Sequence, residues 1–241
     1  MVSAMLVVGL AGCGGEKQAA TTTTTTPTGQ MTSVRLYFLH GGKVQPVSRA
    51  VPVTKPVWLA AWKGLAAGPT GETPLAPSTA LPLESSWTLG VTNDNVLSLS
   101  TVELSRAALA QVVYTLTQFA TTRPVIVNGR RYTRADFEDE TPAILVESPL
   151  PLQAVASPLR VTGTANTFEA TFEYELVGPD GKVVASHFVT ATSGSGTRGT
   201  FDFTVPYKVD RYGVGELVVY ELSAKDGSRI HLVEIPIRMM R

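Results

Sequence analysis

The sequence predicts an α+β N-terminal domain, an antiparallel or mixed sheet with two helices, followed by an all-β sandwich. Three observations predict it. In Phe168, Ala170, Phe172, Tyr174 and Leu176 every second side chain is apolar, while Glu169, Thr171, Glu173 and Glu175 between them are polar; that is the period of a half-buried antiparallel strand, whose apolar face must meet a second sheet. Short strand-forming runs recur from residue 143 to 239, separated by the turn residues Gly178-Pro179-Asp180-Gly181, Ser193-Gly194-Ser195-Gly196 and Asp226-Gly227, the spacing of a sandwich. Before residue 135 such runs instead alternate with two stretches whose apolar residues fall at helical spacing, Trp58, Ala61, Trp62, Leu65 and Leu109, Val112, Val113, Leu116, Phe119.

The chain has 241 residues, 44% of them hydrophobic, enough for two ordinary cores. Lys+Arg 20 balances Asp+Glu 20, so the basic footprint of a nucleic-acid binder is missing and that class is set aside. A single cysteine excludes an internal disulfide and any multi-cysteine metal site.

That cysteine is Cys13, behind an apolar stretch from Met1 to Gly12 that has signal-peptide length and is too short to cross a membrane. No positively charged n-region precedes it. Residues 1–12 are expected to be a signal peptide and 13–33 a disordered threonine-rich tether, since the six threonines from Thr21 carry no periodic apolar side chains. A glycosylated stalk is the alternative for the tether.

The first folded unit, 34–135, opens with a strand at Val34–Leu39, a turn at His40-Gly41-Gly42-Lys43 and a return strand at 44–53. Thr54 is placed to cap the first helix, with Pro56 in its first turn, and Gly68-Pro69 stops it. A proline-rich coil leads to two strands around Trp87, Leu89, Val91 and Leu97, Leu99, joined by Asn93-Asp94-Asn95. Ser105 caps the second helix, and a strand from Pro124 to Val127 ends in Asn128-Gly129. That order is expected to place both helices on one face of the sheet.

Residues 136–142 are expected to be a linker whose acidic cluster, Asp136, Glu138, Asp139 and Glu140, is solvated; a calcium site is conceivable, but the glycine-centred loop of an EF-hand is absent. The second unit, 143–239, offers seven strands, with Pro236 suited to an edge or a bulge.

No catalytic constellation is present. His40, His187 and His231 form no metal-ligand pair, Ser193–Thr197 lacks the Gly-x-Ser-x-Gly elbow, and Gly213-Val214-Gly215 precedes strand formers and not a helix that could hold a phosphate. The chain is expected not to be an enzyme and to need no cofactor or metal. Tyr207, Tyr212 and Tyr220 are the aromatic set that an exposed glycan-binding surface would use.

Several of these stretches resemble known families. Leu10-Ala11-Gly12-Cys13 resembles the lipobox of bacterial lipoproteins, which implies a chain lipidated at Cys13 and held on the extracytoplasmic face of the cell membrane; a stray thiol in an ordinary secretory leader is the alternative. Trp62–Thr70, Asn95–Ser100 and Ala110-Gln111-Val112-Val113-Tyr114-Thr115-Leu116-Thr117 resemble the GerMN domain. Ser157-Pro158-Leu159-Arg160-Val161-Thr162-Gly163-Thr164-Ala165-Asn166-Thr167-Phe168-Glu169-Ala170 resembles the opening of the Gmad2 domain, an immunoglobulin-like module, as do Gly178–Gly181, Gly199-Thr200-Phe201 and Glu221–Ser228. The two resemblances imply a non-enzymatic envelope protein linked to sporulation or germination, working as a protein-interaction or assembly scaffold through self-association or protein partners. Binding to peptidoglycan is the alternative, and an envelope hydrolase the third reading.

Overall fold

The computed structural model describes residues 30–71, 75–82, 86–119 and 124–241. The leader, Cys13 and nearly all of the tether lie outside these residues. The α+β-then-sandwich architecture is present, built around two hydrophobic cores.

The first unit begins with a hairpin of β1 (Met31–His40) and β2 (Lys43–Pro52), turned by Gly41 and Gly42 at positive φ. Residues 31–33, assigned to the tether, are therefore strand, paired with Pro52, Val51 and Ala50. Helix α1 (Val57–Ala66) follows, its N-cap position occupied by Pro56 with no side-chain cap, so Thr54 does not cap it. Trp62 and Leu65 of α1 are buried, and Trp62 meets Trp87 edge-on at 4.9 Å. A four-stranded sheet comes next in the order β3 (Thr88–Val91), β4 (Leu97–Ser100), β5 (Val125–Val127), β6 (Arg130–Tyr132). It is mixed, because β4 and β5 are parallel and joined through helix α2 (Arg106–Leu116). Ser105 caps α2 by accepting from the Ala108 N–H at 3.2 Å.

The helices do not share one face of the sheet. Alternate residues of β1 and β2 put Leu36 and Arg49 on the α1 side, where Gly64 lets the helix approach Leu36 and Arg49 donates to the Gly64 and Gly68 carbonyls. Helix α2 runs along the edge of β1 instead. Its Gln111, Thr115 and Gln118 side chains, at i, i+4 and i+7, take up the backbone groups of Tyr37 and Arg35 that β2 leaves free. An unpaired buried peptide group is costly, and these three side chains stand in for a missing strand.

The second unit is a sandwich of two sheets, β11-β10-β13-β14-β8 and β12-β9-β7. The strands are β7 (Ile144–Ser148), β8 (Ala154–Val155), β9 (Leu159–Ala165), β10 (Thr171–Val177), β11 (Val183–Thr190), β12 (Gly199–Val205), β13 (Gly213–Leu222) and β14 (Arg229–Met239). Phe172, Tyr174 and Leu176 of β10 point into its core, as the alternation predicts. Phe168 does not: it lies in a short 3-10 turn, 59% exposed, because Glu169 and Ala170 take positive φ and delay the strand to Thr171. Gly163 stands opposite Val146 in the β7–β9 ladder, beside a register shift, and a Cβ there would lie 2.1 Å from the Leu145 carbonyl oxygen.

Candidate functional site

The junction of the two units is joined by long-range polar contacts. Residues 136–142, expected as a solvated linker, belong mostly to a 3-10 helix, Arg134–Glu140, with Phe137 fully buried beneath it. Three of its four acidic residues are held individually. Asp136 accepts from the Thr133 N–H and hydroxyl, Asp139 pairs with Arg106, and Glu138 pairs with Arg198 at 2.8 Å and accepts from Asn166 at 2.8 Å. The Arg198 and Asn166 hydrogen bonds hold the Glu138 carboxyl below the usual carboxylate range. No cluster that could hold a metal ion occurs among the described residues.

Deeper in the junction Arg134 lies over the rings of Tyr114 and Tyr37, 4.7 and 5.3 Å from their centroids, donates to the Thr117 hydroxyl and the Tyr114 carbonyl, and pairs with Glu147 of β7 at 2.8 Å. The Tyr37 hydroxyl donates to the same Glu147 carboxylate. Burial works against the Glu147 charge most strongly, yet Arg134, the Tyr37 hydrogen bond and Arg35 together outweigh it and leave the carboxyl below its ordinary value. Between Ile144 and Val146, which enter the sandwich core, Leu145 points the other way into the core of the first unit. Strand β7 is thus shared by both.

Beside this contact opens a cleft of about 570 Å³, lined by the hairpin tip (His40, Lys43, Gln45), the 3-10 segment (Glu138, Pro142) and the sandwich (Arg198, His231, Leu232, Val233). Its ionisable groups are turned onto protein partners. Lys43 donates to the Asp139 carbonyl, the His40 ring bonds the Leu75 carbonyl at 2.7 Å, Arg198 is held by Glu138 and the Pro142 carbonyl, and His231 faces the buried Glu221 at 2.9 Å. Glu221 is engaged in turn by the Phe168 N–H at 2.9 Å. No side chain here is coupled to a base as a nucleophile requires, so the cleft offers shape, apolar floor and hydrogen-bonding edges.

Residues 143–228 match the family Gmad2, described as an immunoglobulin-like domain of bacterial spore germination, and residues 35–132 match the family Germane, described by sporulation and spore germination. The chain is a Germane domain followed by a Gmad2 domain. No curated protein matches it. Among solved structures, "Putative Lipoprotein from Clostridium perfringens" is similar at 15% identity over 44% of this chain and 89% of that one, with a TM-score of 0.28. The tandem GerMN domains of the sporulation protein GerM from Bacillus subtilis are similar at 12% identity, with a TM-score of 0.34, over 73% of this chain and 62% of that one, so this chain spans less than two thirds of that length.

The three tyrosines singled out for glycan stacking do not form a surface in the Gmad2 domain. Tyr207 is buried with its hydroxyl on the Val155 carbonyl, and Tyr220 is buried with its hydroxyl on Glu173 and Glu175; Tyr212 is exposed. Tyr220 is covered within strand β13 and Tyr207 in the segment just after β12, each with its hydroxyl on a carbonyl or carboxylate, as a buried tyrosine requires. The junction residues Tyr37, Arg134, Leu145 and Glu147 were not singled out by sequence reasoning. One signal pointed to them: Ile144-Leu145-Val146 is a continuous apolar run, which marks a strand covered on both faces. The lipidation position, Cys13, lies outside the described residues, and no helix among those residues is long and apolar enough to cross a membrane.

Proposed function

We propose that this Germane–Gmad2 chain works by contact and not by turnover: an extracytoplasmic lipoprotein, held on the cell membrane through Cys13, that serves as a protein-interaction or assembly scaffold in the cell envelope during sporulation or germination. The observation that carries the reading is the junction. The ionisable side chains of its cleft are each engaged by the protein's own groups, and the two domains share strand β7 through Leu145 and Glu147, so the junction presents a fixed surface. The family descriptions of both domains support the process. The lipobox-like Leu10-Ala11-Gly12-Cys13 supports the anchor; acyl chains contribute about 0.8 kcal/mol per buried CH₂.

Crosslinking in native membranes followed by purification tests the contact role. The expected result is a defined set of envelope proteins, or further copies of this chain, recovered with it. Recovery of the monomer alone, or turnover of wall fragments by the pure protein, contradicts it, and sedimentation with purified peptidoglycan redirects it to a glycan. Cys13→Ala is expected to move the protein from the membrane to the soluble fraction; retention removes the anchor and leaves the domains as they are.

A further inference from the structure

Strand β14 is paired with β13 from Val233 to Met239 and again, after a register shift, at Arg229 and Ile230, but on its other side β8 reaches no further than Arg238 and Met239. One step earlier the Leu152 N–H donates to the Pro236 carbonyl. Backbone groups alternate in direction along a strand. Since the Pro236 carbonyl and the Arg238 N–H turn away from β13, those of Glu234 do as well, and among the described residues they meet no other segment; beyond Val233 the register shifts, with His231 at positive φ. Pro236 fits this geometry, because the N–H it lacks would have pointed off the β13 ladder.

This open stretch borders the junction cleft, whose wall includes Leu232 and Val233. With the Germane hairpin standing across from it, the β14 edge faces a space of about 570 Å³, suited to a short extended segment and not to a second sheet. An added strand would turn alternate side chains inward, toward Val233, Pro142 and Ala143, and outward, beside Leu232 and Glu234. On that outer face Glu216 and Glu234 are diagonal neighbours across the β13–β14 pair, and neither forms a salt bridge with a cation among the described residues. Burial, and then the Glu234 charge, raise the Glu216 carboxyl above its ordinary value; a cation placed there would relieve the repulsion.

We propose that the edge of β14 at Glu234 is a strand-addition site for an extended peptide of a partner protein, one that alternates apolar side chains toward the cleft with basic side chains beside Glu234. Main-chain hydrogen bonds supply the grip and the alternating side chains the selection. The inference rests on the contact role proposed above and names its kind of partner.

Amide exchange and titration of the full chain with a blocked nonapeptide of alternating valine and lysine test it. In the free protein the Glu234 amide is expected to exchange roughly 100-fold faster than its neighbours Val233 and Ile235, which bond to β13, and to slow on adding the peptide. Glu234→Pro removes the outward N–H and leaves the β13 ladder whole, as Pro236 already does, and is expected to weaken peptide binding by about tenfold or more at an unchanged unfolding midpoint. If that variant folds poorly, N-methylation of alternate peptide amides makes the same test on the unaltered protein. Failure of the peptide to bind, a Glu234 amide as protected as that of Val233, binding indifferent to both changes, or equal binding of a valine–glutamate peptide would overturn the proposal. A Glu234→Pro chain that keeps all its crosslinked partners loses this site and keeps the contact role; an unaltered chain without partners loses the role itself.

Discussion

Arg134 and Glu147 bring opposite charges into the junction with side-chain exposures of 26% and 16%. Removing one member of such a pair leaves the other uncompensated, which costs more than the pair's net worth. Glu147→Gln is therefore expected to lower stability by about 3 kcal/mol at neutral pH, read as a shift in urea midpoint. The same residue sets a pH dependence. Its folded carboxyl lies below the unfolded value of about 4.3, so the folded state binds fewer protons. Its contribution is then complete above that pH and is lost as pH falls through the folded pKa. The stability difference between the unaltered chain and Glu147→Gln should be constant from pH 7 down to about 5 and should narrow below about 4; a difference that grows with acid contradicts the assignment.

At the scale of single elements, two positions show why strand and helix lie where they do. Gly163→Ala would drive a methyl group into the Leu145 carbonyl and the Phe201 ring, 2.1 and 2.5 Å away, and is expected to destabilise the sandwich by about 3 kcal/mol, measured by thermal or urea unfolding. Gln111→Met keeps the size of the side chain but leaves the Tyr37 carbonyl and the Ala80 N–H without their partner, for an expected loss of about 2 kcal/mol. The first position was legible as part of the Val161–Ala165 motif, although its reason, a close approach of the β7 backbone and the Phe201 ring, is tertiary. The second was not: Gln111, Thr115 and Gln118 lie off the apolar stripe, and no periodicity tells a solvent-facing glutamine from one that caps a strand edge. The failed expectations have similar causes. Phe168 obeys the alternation but sits in a turn made by Glu169 and Ala170, two residues with no glycine-like signature. In the supposed linker, Thr133 and Asp136 stand at capping-box spacing and Phe137 is the buried anchor, a local signal outweighed by the run of acids around it. Tyr220 was placed at the surface because strand periodicity says which face a residue takes and not whether that face is covered, and Tyr207, just after β12, is buried by tertiary contacts that no local pattern shows.

For the whole molecule, the account requires that the two domains hold one orientation. Leu145 inserts into the Germane core while its neighbours serve the Gmad2 core, and Glu147 and Glu138 anchor the same strand and the adjoining loop. Leu145→Ala should accordingly weaken both domains together, by about 3 kcal/mol in all, and should split one cooperative calorimetric transition into two when combined with Glu147→Gln. The most direct measurement is the distance between spin labels on Lys63→Cys in α1 and Lys182→Cys in the β10–β11 turn, in a Cys13→Ala background. A single narrow distribution that broadens in the Leu145→Ala, Glu147→Gln variant is the predicted result; a broad distribution in the chain with its junction intact would contradict the claim that both domains act as one body.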